Sequence, residues 1–267
     1  MSRAAALALV LLVAGCDAAL DPVDPAGRHF SMSGVLDASA DTQWVRVEPV
    51  TPTFDPQPGL TGTEVTLERI VDGRTVRLTE TVRDFVTGPA HLFWTAEPVA
   101  LGETYRLRAR GPDGEAHATV EVPDRAPSLT VFGGSQDVVA VAVVRDAPRL
   151  VDVLALYSFG VPGVPDGRLS KRGDVVERED GSYSVGIYPL TDRERLAPNA
   201  PIRRCEVLVA SGSPQWEGVR GLDRETAAVE NQTDRVEGGV GFVGGVATAR
   251  APLFVRGCPG PPVEERP

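Results

Sequence analysis

The residues able to do covalent or acid–base chemistry are few: three cysteines, three histidines and one lysine in 267 residues. Cys16 closes the run Val13-Ala14-Gly15-Cys16. Small residues there fit a signal peptidase that cuts before a cysteine whose thiol already carries diacylglycerol. The spacing therefore predicts lipidation of Cys16; the alternative is an ordinary secretory leader with a chance cysteine. Lipidation would leave Cys205 and Cys258 in an oxidising compartment, where a disulfide is expected. Such a bridge would close a loop of about fifty residues and, on the chain-entropy model, stabilise by about 4 kcal/mol. Two buried free thiols are the alternative. A metal site is not expected, since CxxC is absent and His29, His91 and His117 lie far from both cysteines in sequence.

Nucleophilic catalysis needs Ser or Cys beside a His and an orienting acid, and no Gly-x-Ser-x-Gly elbow is present. His91 and His117 fall in strand-like runs and read as exposed or edge-strand residues rather than general bases. His-Glu-x-x-His and Gly-x-x-x-x-Gly-Lys-Ser/Thr are both absent. Gly238-Gly239-Val-Gly241-Phe-Val-Gly244-Gly245 contains no lysine and does not lead into a helix, so close packing explains it better than phosphate binding. Acidic turns at Asp37 and Asp41, and at Glu177, Glu179 and Asp180, offer oxygens for calcium, but without an EF-hand pattern they read as solvated turns. Glycosidase chemistry needs only two carboxylates, and nothing singles out a pair. The chain is read as non-enzymatic, with no cofactor.

Trp44, Trp94 and Trp216, with Tyr105, Tyr157, Tyr183 and Tyr188, could build a sugar-stacking or partner-binding surface, or simply fill cores. Trp94 lies in LFWTA, where a sandwich needs a large interior residue. Trp216 follows Ser-Pro-Gln in an expected loop and is the better surface candidate of the three, although burial is the favoured reading even there.

The elements that must position these residues are short. A formal charge of −10 argues against nucleic acid and against docking on anionic lipid through a basic patch. Lys171 is the only lysine among 27 basic residues, a bias attributable to genome composition. Ala4 to Ala14 form an apolar run of leader length, too short for a permanent span. Residues 1–15 are thus expected to be a lipoprotein signal peptide, and 16–28 a lipidated cysteine with a flexible tether broken by Pro22 and Pro25. Seven strand-like runs follow between Phe30 and Val122, with hairpin signals at Asp72-Gly73 and Pro112-Asp113-Gly114 that suit type I′ turns. They predict an immunoglobulin-like or prealbumin-like β-sandwich over 29–125. Residues 126–258 read as a second β-rich domain with one or two short helices, one capped by Thr191 and one over Asp223 to Glu230. The segment 259–267 reads as a disordered tail. The fold class is mainly β.

FSMSGVLDASADTQWVRV, GTEVTLER, LGETYRLRARGPDG and the late GGVGFVGGV together resemble an uncharacterised family of Gram-negative outer-membrane lipoproteins. The resemblance covers most of the chain after Cys16. It implies a place beside TonB-dependent receptors of the SusC type and an accessory role in uptake, with the membrane reached through lipid on Cys16. It brings no catalytic or ligand residues. The expected location is the outer membrane, on its periplasmic side or at the cell surface. Asp17 after the lipidated cysteine leaves inner-membrane retention open.

Overall fold

The computed structural model describes residues 27–51, 59, 61–85, 88–133, 137–159, 166–171, 174–198, 200–216, 235–256 and 258. The expected leader, Cys16, the tether up to 26, the helix over Asp223 to Glu230 and the tail lie outside them. The described chain is mainly β, with several sheets and one α-helix.

The alternating runs form strands β1 Phe30–Asp37, β2 Gln43–Pro49, β3 Glu64–Arg69, β4 Arg74–Arg77, β5 Thr79–Phe85, β6 Gly88–Thr95, β7 Thr104–Gly111 and β8 Gly114–Glu121. In β1 burial alternates along the whole strand, as a two-residue period requires when one face is covered. The single run RTVRLTETV yields both β4 and β5, because Leu78 between them is buried and donates its amide to Val65 O. At that point the chain passes from one sheet to another. Both hairpin signals mark real hairpins, but neither turn is type I′. Asp72-Gly73 belongs to a four-residue connection in which only Gly73 has positive φ, and Pro112, with its fixed negative φ, stands first in the two-residue turn before Gly114.

Beyond Pro127 come β9 Ser128–Phe132, β10 Ala140–Arg145, β11 Leu150–Ser158, β12 Gly167–Ser170, β13 Val175–Glu177, β14 Tyr183–Ile187, helix α1 Pro189–Leu196, β15 Arg204–Gly212, a 3-10 turn Pro214–Trp216 and β16 Gly239–Pro252. The helix starts at Pro189 and not after a Thr191 cap: Tyr188 is its N-cap, with no side-chain cap bond. Proline at the first helical position has the right φ and lacks an amide that would be unpaired there anyway.

Three sheets result. The largest has eight strands in the order β12-β11-β15-β16-β1-β2-β6-β5, and so combines strands from both sides of residue 125. Its neighbours are antiparallel except β1 and β16, which run parallel from Phe30↔Gly239 to Asp37↔Val246. Strand β16 pairs with β1 through its first half and with β15 through its second. Two four-stranded sheets, β4-β3-β7-β8 and β13-β14-β10-β9, complete the fold. Val243 joins a core with Met32, Val45, Phe93, Leu107 and Val120, while Leu253 joins another with Val153, Val207, Ala142 and Ile187. Val209 of the second core pairs with Ala249 of β16, an even number of residues from Val243, so the two cores lie on the same face. The two smaller sheets therefore cover one face of the large sheet, side by side.

Candidate functional site

The three tryptophans gather on the other face of the large sheet, in two clusters. Trp216 is buried, 1% exposed, and packs edge-on against Phe242 with ring centroids 4.9 Å apart at 79°. Val151, Ala210, Val246 and Val35 complete this small core. Burial is thus the reading of Trp216 that holds, and its weak candidacy as a binding residue falls. Strand β15 ends at Gly212 opposite Val246, and the indole fills the space past that end, where its Nε1 donates to Gly245 O at 2.8 Å. An aromatic ring whose polar atom is satisfied can be buried fully.

The preceding residue closes a second gap. Strand β8 is the edge of its sheet, with backbone groups at 117, 119 and 121 facing outward. Gln215 Oε1 accepts from Glu121 N at 2.8 Å while its Nε2 donates to Thr119 O at 2.9 Å, so one side-chain amide imitates a neighbouring strand. Glu237 does the same through its backbone, exchanging two bonds with His117. Open edges invite pairing with other chains, and this one is occupied. The glycines of β16 permit the close approach: a Cβ on Gly245 would lie 2.2 Å from Glu121 O.

Trp44 and Trp94 form the second cluster. They face each other across β2 and β6, with centroids 5.9 Å apart and planes inclined at 30°. Both are half-buried. Arg83 of β5 lies over Trp44 with its guanidinium carbon 5.1 Å from the ring centroid, a cation–π contact. By strand alternation Thr79, Thr81 and Phe85 share this face, as do Arg46 and Glu48, which pair at 2.7 Å. Phe85 is exposed. Trp94 is thus not the interior residue expected of LFWTA; Phe93 beside it points into the core. Stacked indoles edged by hydroxyls, a guanidinium and a carboxylate suit a planar or saccharide ligand.

Two polar clusters lie inside. His91, expected at an edge, is buried in β6 between β2 and β5; its Nδ1 is 3.0 Å from Glu80 Oε1, which also accepts from Thr61 N and Oγ1, each at 2.9 Å. His117 does lie on an edge strand, 3.2 Å from Glu237 Oε2. The other cluster was not anticipated. Lys171 Nζ donates to Asp192 Oδ1 at 2.6 Å and Tyr157 OH donates to Asp192 Oδ2 at 2.5 Å, with all three residues buried. Burial, and then the bond to Asp192, push the Tyr157 hydroxyl far above its usual range, so it stays a donor.

The acidic turns use their oxygens locally. Asp37 accepts from Ser39 N and Thr248 Oγ1, and Asp180 accepts from Ser182 N and Oγ. Among the described residues no group of three His, Cys, Asp or Glu could hold a metal ion. A cleft of about 150 Å³ opens among Leu67, Val76, Val99 and Tyr105, with Arg74 and Glu97 paired at 3.0 Å on its rim. That is small beside ligand pockets of about 300–1,000 Å³. Cys205 and Cys258 are joined by a disulfide, Cα–Cα 5.6 Å. Cys16 lies outside the described residues. The large-sheet aromatics gather Trp44 and Trp94 but not Trp216, which belongs to the neighbouring cluster.

No protein-family model and no curated protein matches the chain. Among solved structures it is similar to a pullulanase from Anoxybacillus sp. LM18-11 (TM-score 0.24, 13% identity, 67% of this chain and 24% of that one). It is also similar to titin domains z1z2 in complex with telethonin (TM-score 0.20, 18% identity, 86% and 94%) and to a cytokine receptor complex (TM-score 0.27, 11% identity, 87% and 98%). The chain spans about a quarter of the length of the pullulanase. All three superpositions are too loose to carry an argument.

Proposed function

We propose that the protein is an exported, lipid-anchored envelope protein, held to the outer membrane through Cys16 and acting there as a non-enzymatic binding or accessory subunit. The observation that carries the reading is the Cys205–Cys258 disulfide, a feature typical of oxidising compartments, which leaves the third cysteine, in Val13-Ala14-Gly15-Cys16, for lipid. Among the described residues no helix is long and apolar enough to cross a membrane, so attachment in this reading rests on the acyl chains. In its finer form the fold is two sandwich units that share the eight-stranded sheet, the first immunoglobulin-like or prealbumin-like and built on 29–125 together with the first half of β16, the second on the remainder of 126–258, presenting one aromatic face to a partner such as a SusC-type TonB-dependent receptor. Wild-type protein expressed in a Gram-negative host is expected to label with a palmitate analogue and enter detergent, and Cys16→Ser to be unlabelled. Unlabelled wild type in the aqueous phase would overturn the anchor. Detergent pull-down that recovers no receptor under conditions preserving known complexes would remove the accessory role.

The Trp44–Trp94 pair supports a second reading, a carbohydrate-binding surface. Indole faces bind sugar rings through large apolar contact at little entropic cost. Binding to a glycan array that is lost in Trp44→Ala would support it; arrays blank for the wild type would end it.

A further inference from the structure

We infer that Lys171 and Asp192 are the two ends of an intramolecular isopeptide bond, formed after folding, that ties helix α1 to the edge of the large sheet. The two side chains are buried in direct contact. The lysine follows β12, the edge strand, and the aspartate sits in α1; Nζ and Oδ1 are 2.6 Å apart, and their side chains are 6% and 1% exposed. Lys171 is fastened further by its amide, which donates to Val153 O at 2.7 Å. Holding the amine against the carboxylate in this way replaces a bimolecular encounter with an intramolecular one.

Residue choice points the same way. The chain uses arginine at every basic position but this one. Arginine is the better partner for a buried ion pair, since its planar fork matches a carboxylate and its charge is permanent. A guanidinium cannot deprotonate and attack, whereas an amine can. A lysine at the buried position therefore fits a reactive group better than a structural cation.

The atoms around the carboxyl group divide the work. A proton passes from the ammonium to Oδ1, giving an amine and a carboxylic acid. The Nζ lone pair attacks Cγ, and negative charge develops on Oδ2. Tyr157 OH already donates to Oδ2 at 2.5 Å and stabilises that charge as an oxyanion hole does. The Cγ–Oδ1 bond then breaks, Oδ1 takes a second proton from nitrogen and leaves as water, and Oδ2 becomes the amide carbonyl. One N–C bond is made and one C–O bond broken, with no oxidant, reductant or co-reactant.

The test is tandem mass spectrometry on a proteolytic digest of the purified full chain, which also avoids any mass added by lipid. Wild type should give a branched species in which the segments holding Lys171 and Asp192 are joined with loss of one water, and trypsin should fail to cut after Lys171. Lys171→Arg and Asp192→Ala should lack it. Tyr157→Phe should form it about a hundredfold more slowly in a time course from refolding, the scale of losing one oxyanion donor. Wild-type digests containing only unlinked peptides overturn the inference, whether or not the variants fold. So does a water loss mapped to succinimide at Asp72-Gly73, Asp113-Gly114 or Asp180-Gly181.

Discussion

Trp216 with Phe242 and Trp44 with Trp94 occupy the same face of the eight-stranded sheet, with Val35 of β1 adjoining both, yet they are treated oppositely. The first pair is sealed by the chain itself: the turn Pro214–Trp216 lays the indole down, Gly245 O takes its N–H, and Gln215 ties the same turn to β8. The second pair is left half-exposed, with no turn laid over it among the described residues and an arginine over Trp44. One cluster is therefore part of what holds the sheet together, and the other is surface that folding does not require. Aromatic residues that look alike in a sequence are separated by whether a backbone acceptor and a covering segment exist at their position.

Substitution should separate the clusters by energy. Trp216→Ala should lower unfolding free energy by about 3–5 kcal/mol in urea titrations, the range for deleting a buried indole. An effect no larger than that of Trp44→Ala would break the comparison. Breaking the disulfide by the double change Cys205→Ser and Cys258→Ser should cost up to about 4 kcal/mol on the chain-entropy model, and hydrogen exchange should accelerate in β15 and the segment after β16 before it does in β2 or β6. Gln215→Ala should cost about 1 kcal/mol, since two exposed backbone groups of β8 lose their protein partner, and should raise the proportion of dimer in size-exclusion chromatography. Trp44→Ala should cost less than about 1 kcal/mol, because its ring is only half covered. Smallest of all is a pH effect in the β3–β4 turn. The hydrogen bond from Arg69, with the Arg74 amide, holds the Asp72 carboxyl at about 2 against 3.8. A depressed value means that the contribution is complete above 3.8 and fades as pH falls towards 2. The Asp72 carboxyl carbon should titrate in the folded protein with a midpoint of about 2 by NMR, and a midpoint at or above 3.8 would remove the contact.

Strand positions were legible because a two-residue period leaves apolar residues on one side wherever one face is covered, as in FSMSGVLD and EVTLER. The Cys205–Cys258 pairing was legible by elimination once Cys16 was assigned to lipid. Three features were not. The switch at Leu78 hides inside a run that reads as one strand, because the pattern of alternation does not say which sheet a strand joins. The parallel pairing of β1 with β16 joins residues about as far apart as the fold allows, and no local signal encodes it. The burial of Trp216 depends on where β15 happens to stop. The chain did offer one signal for the Lys171 cluster, its solitary lysine in an arginine-rich composition, which compositional bias alone left unexplained.

The parallel β1–β16 ladder also fixes an order of events in time. A chain made from its N-terminus presents β1 and β2 first, but one flank of β1 stays vacant until Gly239–Val246 emerges, and the β8 edge waits likewise for Gln215 and Glu237. No prefix of the polypeptide can finish its own sheet. Contacts of such long sequence separation close slowly, since the loop entropy is lost before any pairing is gained. An unfinished chain thus remains pliable until β16 arrives, a delay that would suit the export proposed above.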